Sequence, residues 1–464
     1  MSRRLKLYLI PVLILLAFTL PHLDQGEFRR DTVRYAAIGH YMWNGGSLLT
    51  PYANAEKIYF NKPPLALWIH GFFLKLFGLN LVAARVPSIL AAVGVLALSM
   101  LSVRNLGTRR EAVISGIVLA STYEFFRRTR EISLDMWQLF FLMIAVWLVT
   151  KTFRHGARWP LVVCGIPIGL ALMCKQLVGL MVLPIFAVWL AIAGRARLII
   201  WLVLGALPMS ILVAAPWHLY MYSIFGESFA RHFFGREVIE RAQRSDQQNS
   251  AFYYLIENSR TYWPWMIGLI YAIWLCLKKS QRSLSQRRGF VVPATIWVGV
   301  WLGAISIFAD KKPNYALPLY PMLSWIVAWA LCRIPSSHLK NWYERGLPGL
   351  APVAVALFLI AAVAPIQFQE PPEKHWLKLV NWMKSTKLDI AQLKYANIEQ
   401  SDVCYVYVKT GKWMKSLRAA RASGDSSENV LVVTKFPNDA KPAEFGEVLF
   451  SSGPVHVVSQ RHER

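Results

Sequence analysis

Charge is scarce in this chain: 17% of its 464 residues are Asp, Glu, Lys or Arg, and only 26 are acidic. Soluble domains carry about 25% charged residues, so a single soluble body is excluded. Cysteine is scarce too. The five cysteines form no Cys-x-x-Cys pair, which argues against a disulfide framework or a zinc–cysteine site. Four lie in apolar runs, and Cys404 stands alone toward the C-terminus. No small-x-small cleavage site follows the apolar run Leu5–Leu20, so that run reads as an uncleaved first membrane helix. The chain shows no internal repeat and no low-complexity tract.

What is present is apolar and basic: 55% hydrophobic residues, 19 Trp and a formal net charge of +25. Trp and Tyr favour membrane interfaces, and Lys and Arg favour cytoplasmic loops. The basic excess therefore reads as topology and contact with anionic membrane lipid, not as nucleic-acid binding. Apolar segments of spanning length fall at 5–20, 81–103, 112–126, 132–150, 159–174, 177–194, 198–216, 262–277, 290–308, 315–332 and 347–366, about eleven in all. Pro64–Gly78 is apolar but short, and is broken by His70 and Lys75.

Charge bias places that segment. If Pro64–Gly78 crosses the membrane, the basic connectors at Arg104–Arg110, Lys151–Arg158, Arg195–Arg197, Lys278–Arg288 and Arg333–Arg345 fall on the side opposite the basic N-terminus. If it lies in the interface as an amphipathic helix, all of them share the cytoplasmic side with Ser2–Lys6, as the positive-inside rule requires. The first loop, about 21–80, is then wholly extracytoplasmic. The same parity puts Arg127–Asp135, Lys175-Gln176, the long connector 218–260, Asp310–Tyr315 and everything from Gln367 onward on that side. The connector 218–260 reads either as an ordinary amphipathic surface helix or as a lid or acceptor-binding element, with Phe229, Phe233 and Ile239 at helical spacing.

The expected fold class is thus a polytopic α-helical membrane protein, with interfacial helices in its loops and a small C-terminal α/β domain. Residues 1–366 form the membrane domain and 367–464 the small domain. The tail predicts a helix over Trp376–Ser385 and strands at Cys404–Lys409, Val430–Val433, Val448–Phe450 and Val455–Val458, with a loop at Ala422–Glu428.

The residues that could carry chemistry collect on the extracytoplasmic side. Asp31 lies among Arg29, Arg30 and Arg34; it reads either as a surface ion pair or as a general base at a membrane cavity. Asp135 opens a membrane helix, where an acid either favours the helix dipole or serves function. Lys62, in Asn61-Lys62-Pro63-Pro64, reads as a snorkelling lysine or as a cation for a lipid phosphate. Lys175, Lys311 and Lys312 break the charge bias and suit a phosphate headgroup. His218, in Pro216-Trp217-His218, reads more readily as a structural interfacial histidine than as a ligand.

These elements, taken in order, resemble the GT-C superfamily of glycosyltransferases that use lipid-linked sugars, in its protein O-mannosyltransferase and lipid A aminoarabinose transferase branch. The resemblance rests on Asp31-Thr32-Val33-Arg34-Tyr35-Ala36, Gly45-Gly46, Thr50-Pro51, Lys62-Pro63-Pro64-Leu65, Ala84-Arg85-Val86-Pro87-Ser88, Arg130 with Asp135, Lys175, Pro216-Trp217, and Lys311 with Tyr315-Ala316-Leu317-Pro318. It covers about the first 320 residues; no motif covers the tail. Two positions depart from the pattern: Thr32 replaces the second acid of an Asp-Glu pair, and Asn61 replaces an acid that often precedes Lys-Pro-Pro.

The resemblance implies inverting transfer of a monosaccharide from a polyprenyl-phosphate carrier to an extracytoplasmic acceptor: a glycolipid such as lipid A, a polysaccharide or a protein hydroxyl. It implies Asp31 and Asp135 as catalytic residues, and Arg34, Tyr35, Lys62, Arg130, Lys175, His218, Lys311 and Tyr315 as substrate-binding residues. No cofactor is required by the pattern, and Asn61 weakens the case for a divalent metal. The implied location is a bacterial inner membrane with the site facing the periplasm. The competing readings are a lipid-linked-sugar flippase or transporter, and a catalytically degenerate family member.

Overall fold

The computed structural model describes residues 3–25, 30–54, 56–175, 177–233, 235, 252–277, 289–307, 311–334, 374–396, 398–418, 429–435, 447–452 and 455–461. The expected span 347–366, the loop Ala422–Glu428, residue Asp310 and most of the connector beyond Phe233 lie outside these residues. The chain divides into two compact units, Met1–Leu23 with Asn61–Ala66 and Ser88–Ile366, and Asp24–Phe60 with Leu67–Pro87 and Gln367–Arg464.

The first unit is helical. In chain order the helices are α1 (Arg3–Thr19), α2 (Arg30–Trp43), α3 (Leu65–Phe77), α4 (Leu81–Leu106), α5 (Arg109–Ala120), α6 (Tyr123–Thr129), α7 (Leu134–His155), α8 (Trp159–Val163), α9 (Gly165–Cys174), α10 (Val182–Ile192), α11 (Ile199–Trp201), α12 (Leu207–Ala230), α13 (Tyr253–Thr261), α14 (Met266–Leu277), α15 (Val291–Ile307) and α16 (Leu319–Leu331). Of these, α2 and α3 belong mainly to the second unit. Helical segments occupy ten of the eleven expected spans. Three described stretches are long and apolar enough to cross a bilayer by themselves: Leu81–Leu106, Leu134–His155 and Ala196–Phe233. With 13 residues, α3 is shorter than the roughly 20 a span needs.

Small residues let the spans approach. A side chain at Gly169 of α9 would lie 2.7 Å from the Ser210 carbonyl of α12, and Gly165 meets Ala206 in the same seam. Gly299 of α15 has no described atom within 4 Å of an added methyl, so Gly299→Ala should not lower the melting temperature.

The ends of the first unit differ in character. Arg154 bonds Asn105 at 3.1 Å, Asn105 bonds Thr150 at 2.9 Å, Arg195 bonds the Thr152 carbonyl at 3.2 Å, and Arg333 pairs with Glu111 at 3.2 Å. Four of the basic connectors are therefore joined at one end. At the other end of α7 sits Asp135. The charge rule, read from sequence, sorted these connectors the same way.

One expectation about this unit changes. The membrane helix does not stop near His218: α12 runs on, and the chain bends at Gly226, whose φ of 52° favours glycine. No strong breaker precedes that glycine, and Pro216 is accommodated inside the helix. After the bend, Phe229 and Phe233 stack on each other and pack edge-on to Trp217.

The second unit joins the first loop to the tail. The tail holds α17 (Lys374–Ser385), α18 (Gln400–Thr410) and five strands: β1 (Leu393–Ala396), β2 (Lys415–Ser416), β3 (Asn429–Lys435), β4 (Glu447–Ser452) and β5 (Val455–Arg461). The sheet order is β2-β1-β3-β5-β4, parallel from β2 to β3 and antiparallel from β3 onward. The strands at β3, β4 and β5 and the helix α17 fall where the sequence placed them. The stretch Cys404–Lys409 does not form a strand. A reciprocal cap between Glu399 and Asp402 starts a helix there, and Gly411 at φ 75° ends it. Every residue from Asp402 to Val408 is buried, so this part of the helix shows no polar face in the sequence.

Helix α2 packs on α18 and crosses α3 backbone to backbone. A side chain at Gly39 would lie 2.8 Å from the Leu67 carbonyl, and one at Gly71 would overlap the Gly39 carbonyl. Gly71→Val is expected to destabilise this unit by about 1–3 kcal/mol, as overpacking does; a thermal melt of the purified protein checks it.

Candidate active site

The first unit contributes a constellation built on α7 and the strip 311–318. Ser133 caps α7 by accepting from Met136 N at 3.1 Å, which sets Asp135 in the first turn. The Asp135 carboxylate accepts a bond from Lys175 Nζ and a 3.1 Å bond from Asn314 Nδ2. Lys175 also lies over the Tyr315 ring, 4.8 Å from its centre. Its backbone carbonyl accepts from Gln138 Nε2 at 3.0 Å. The strip is itself pinned: Tyr254 Oη meets Lys312 N at 3.2 Å, and the indoles of Trp301 and Trp297 donate to the carbonyls of Tyr315 and Pro318, each at 3.0 Å. Asp135, Lys175 and Tyr315, distant in sequence, are thus brought together.

Other expected site residues of this unit are placed individually. Lys62 is 5% exposed. Lys311 is half-buried. Arg130 donates to the carbonyls of Thr19, Pro21 and His22 at 3.3, 2.6 and 2.9 Å, closing the end of α1. His218 Nδ1 donates to the Ala214 carbonyl one turn back at 2.8 Å, and its ring packs on Phe233.

Asn61 Oδ1 lies 3.1 Å from His232 Nε2. Among the described residues no three His, Cys, Asp or Glu side chains gather as a metal seat. An amide oxygen and an imidazole do not make the anionic donor set that a divalent cation takes, so no chemistry is assigned to one here.

In the second unit, Asp31 and Arg34 share a turn of α2, with their charges 3.4 Å apart. Asp31 is well exposed, whereas Arg34 is mostly covered and its Nε has no described hydrogen-bond partner. Tyr35 is half-buried beside them. Further along α2, His40 Nδ1 meets Tyr407 Oη of α18 at 3.0 Å, and Tyr41 packs edge-on to Tyr407, Trp413 and Tyr52. The loop after α2 is held by the tail. Asn54 donates to Tyr395 Oη at 3.0 Å, Gln400 donates to the Ala53 carbonyl at 3.2 Å, and Glu56 accepts from Ser416 N and Oγ at 2.9 and 2.7 Å. Burial pushes the Cys404 thiol up to about 12, which keeps it unreactive.

Burial lowers the His40 pKa below its ordinary 6.5. A histidine that stays neutral when folded adds stability above that ordinary value, and the contribution falls as pH drops through it toward the folded pKa. Melting of this unit is therefore expected to begin earlier below about pH 6, and less so in His40→Gln; a pH series of melts reads the difference.

Sequence reasoning passed over Asn314, Gln138 and the acids Glu124 and Glu131. Asn314 sat inside a recognised element and was overshadowed by its lysines.

The comparisons with known proteins bear on the fold and on what the sequence is similar to. Residues 61–220 match the family model described as dolichyl-phosphate-mannose-protein mannosyltransferase. A protein of Aquifex aeolicus is 28% identical over 345 residues, which are 74% of this chain and 66% of that one. An undecaprenyl phosphate-alpha-4-amino-4-deoxy-L-arabinose arabinosyl transferase of Pseudomonas aeruginosa (strain UCBPP-PA14) is 26% identical over 388 residues, 80% of this chain and 67% of its own. The chain thus spans about two thirds of the length of these relatives. Among solved structures, ArnT from Cupriavidus metallidurans bound to undecaprenyl phosphate superposes with a TM-score of 0.75 at 19% identity, over 99% of this chain and 98% of that one. The archaeal oligosaccharyltransferase AglB from Archaeoglobus fulgidus gives 0.55 at 14% identity, over 93% and 69%.

The chain is an integral membrane protein with the fold seen in ArnT. Its sequence likeness runs to the mannosyltransferase and aminoarabinose transferase relatives that the motifs imply.

Proposed function

We propose that this protein is an inverting glycosyltransferase that moves one monosaccharide from a polyprenyl-phosphate carrier to an extracytoplasmic hydroxyl acceptor, a glycolipid such as lipid A, a polysaccharide or a protein. The observation that carries this reading is the cation Lys175, held by Asp135 and backed by Tyr315 at the end of α7 away from the basic connectors. Relatives across four-fifths of the chain are undecaprenyl-phosphate aminoarabinose transferases, which supports the same donor class. The site faces the periplasmic side of a bacterial inner membrane.

In this mechanism Asp31 removes the acceptor proton as the acceptor oxygen attacks the anomeric carbon. The bond from that carbon to the phosphate oxygen breaks, with inversion, through an oxocarbenium-like state. Negative charge grows on the departing lipid phosphate. Lys62, Arg34, Lys175 and Lys311 neutralise it, and fixed charge at a developing anion is usually the largest catalytic contribution. Asp135 holds Lys175, and Tyr35, Tyr315, Arg130 and His218 are the remaining substrate-binding residues of this reading.

The test is sugar transfer in membranes supplied with a labelled polyprenyl-phosphate monosaccharide, reading lipid and protein fractions. Asp31→Asn is expected to lose transfer by about 10²–10⁴-fold while still binding donor. Undiminished transfer by the variant removes Asp31 as base. Donor binding without transfer by the wild type refutes the transferase reading and favours a flippase or a catalytically degenerate family member.

A further inference from the structure

Beside the Asp135–Lys175 pair lies a group of four charged side chains to which no role has been given. Glu124 is 2% exposed and accepts three N–H bonds: from Arg127 Nε at 2.8 Å, Arg127 NH2 at 2.7 Å and Arg128 Nε at 2.7 Å. Glu131 accepts one bond from each arginine, both at 3.0 Å. Two carboxylates and two guanidiniums thus close a ring of zero net charge.

The ring is anchored to the start of α7. Ser88 Oγ donates to the Glu131 carbonyl at 2.7 Å and accepts from Ser133 N at 3.0 Å. Ser133 then caps the helix that carries Asp135. This also gives a purpose to the serine of Ala84-Arg85-Val86-Pro87-Ser88.

Arg128 lies near enough for its charge to act on Asp135. A guanidinium offers a carboxylate two parallel bonds, and it would compete strongly with a lysine ammonium for the same acid. Yet Asp135 is bonded to Lys175 and Asn314. What holds Arg128 elsewhere is the ring.

We propose that Glu124 and Glu131 are positioning residues: they keep Arg128 from pairing with Asp135, and so reserve Asp135 for Lys175. Loss of either acid turns Arg128 toward Asp135 and releases Lys175. The inference deepens the phosphate-binding role given to Lys175 above, but its geometry and its test stand without that role.

The test reads Lys175 directly in the full-length protein. Reductive methylation with isotopic formaldehyde is followed at the Lys175 peptide by mass spectrometry, beside a thermal melt of each variant. An ammonium in a tight ion pair reacts slowly. In Glu124→Gln the labelling rate is expected to rise by about fivefold or more, an equilibrium shift of roughly 1 kcal/mol. In the double variant Glu124→Gln/Arg128→Gln, which removes the competing cation, it should return to within about twofold of wild type. Glu131→Gln, at the more open side of the ring, should give a smaller rise and guards against misfolding of the first variant.

A merely structural ring would lower the melting temperature in all three variants without this rise and return. Labelling that stays at the wild-type rate in both single variants overturns the proposal, as does a double variant that labels as fast as Glu124→Gln. Because no sugar donor enters the assay, its failure is distinct from failure of the transferase reading.

Discussion

Lys175→Met is expected to lower sugar transfer by about 10²–10³-fold, the usual loss when one donor to a developing anion is removed. Lys175 is 13% exposed, Asp135 is 19% exposed, and each is the other's ion-pair partner. Methionine keeps much of the lysine's apolar stem but removes the ammonium bonded to Asp135, leaving the Asn314 hydrogen bond. Stripping one partner from a buried pair costs up to about 3–5 kcal/mol, so part of any loss could reflect stability. The double variant Lys175→Met/Asp135→Asn separates the two effects. It removes the orphaned charge, so the melting temperature should recover, while transfer should stay low because the cation is still missing. Transfer that recovers together with the melt would mean that Lys175 serves the fold alone.

Ending the chain at residue 366 is expected to abolish transfer, although every motif that the family resemblance rests on remains. Helix α2, which carries Asp31, Arg34 and Tyr35, packs on α18 of the tail. The loop that follows is tied to the tail through Asn54, Ala53 and Glu56. Without the tail, His40 would lose Tyr407, and Tyr41 would lose Tyr407 and Trp413. The shortened protein should insert in membranes yet show rapid proteolysis within residues 24–60. A milder form of the experiment is Tyr407→Ala, which removes the partner of both His40 and Tyr41 and should increase cleavage in the same segment. Equal protease resistance with and without the tail would separate the loop from it.

Much of the fold was legible because membrane spans announce themselves by length and composition. Charge alone grouped the basic connectors, and the bonds Arg154–Asn105, Arg195–Thr152 and Arg333–Glu111 join four described members of that group with their neighbours at one end. Lys175 stood out because a cation on the outer side broke that rule; its partner Asp135 and its backing ring Tyr315 had each been noticed separately. The union of loop and tail was not legible. It rests on single polar pairs such as Asn54–Tyr395, 341 residues apart, and no local pattern encodes such a pair. The helix α18 was misread because a fully buried helix lacks the polar face that would display its period. Asn314 and the acids of the ring were missed for another reason: an amide or an acid beside lysines and arginines looks like ordinary surface chemistry until its distances are known.

The pairing of His40 with Tyr407 joins residues 367 positions apart, and that separation is also an interval of time. At roughly 5–20 residues per second, a ribosome takes roughly 20–70 s to make the chain between them. Throughout that interval the helix bearing Asp31 has been synthesised but lacks the partner against which it folds. Competence for chemistry should therefore arrive abruptly and last, after the membrane spans are in place. A truncated translation product would sit in the bilayer without acting on its lipid.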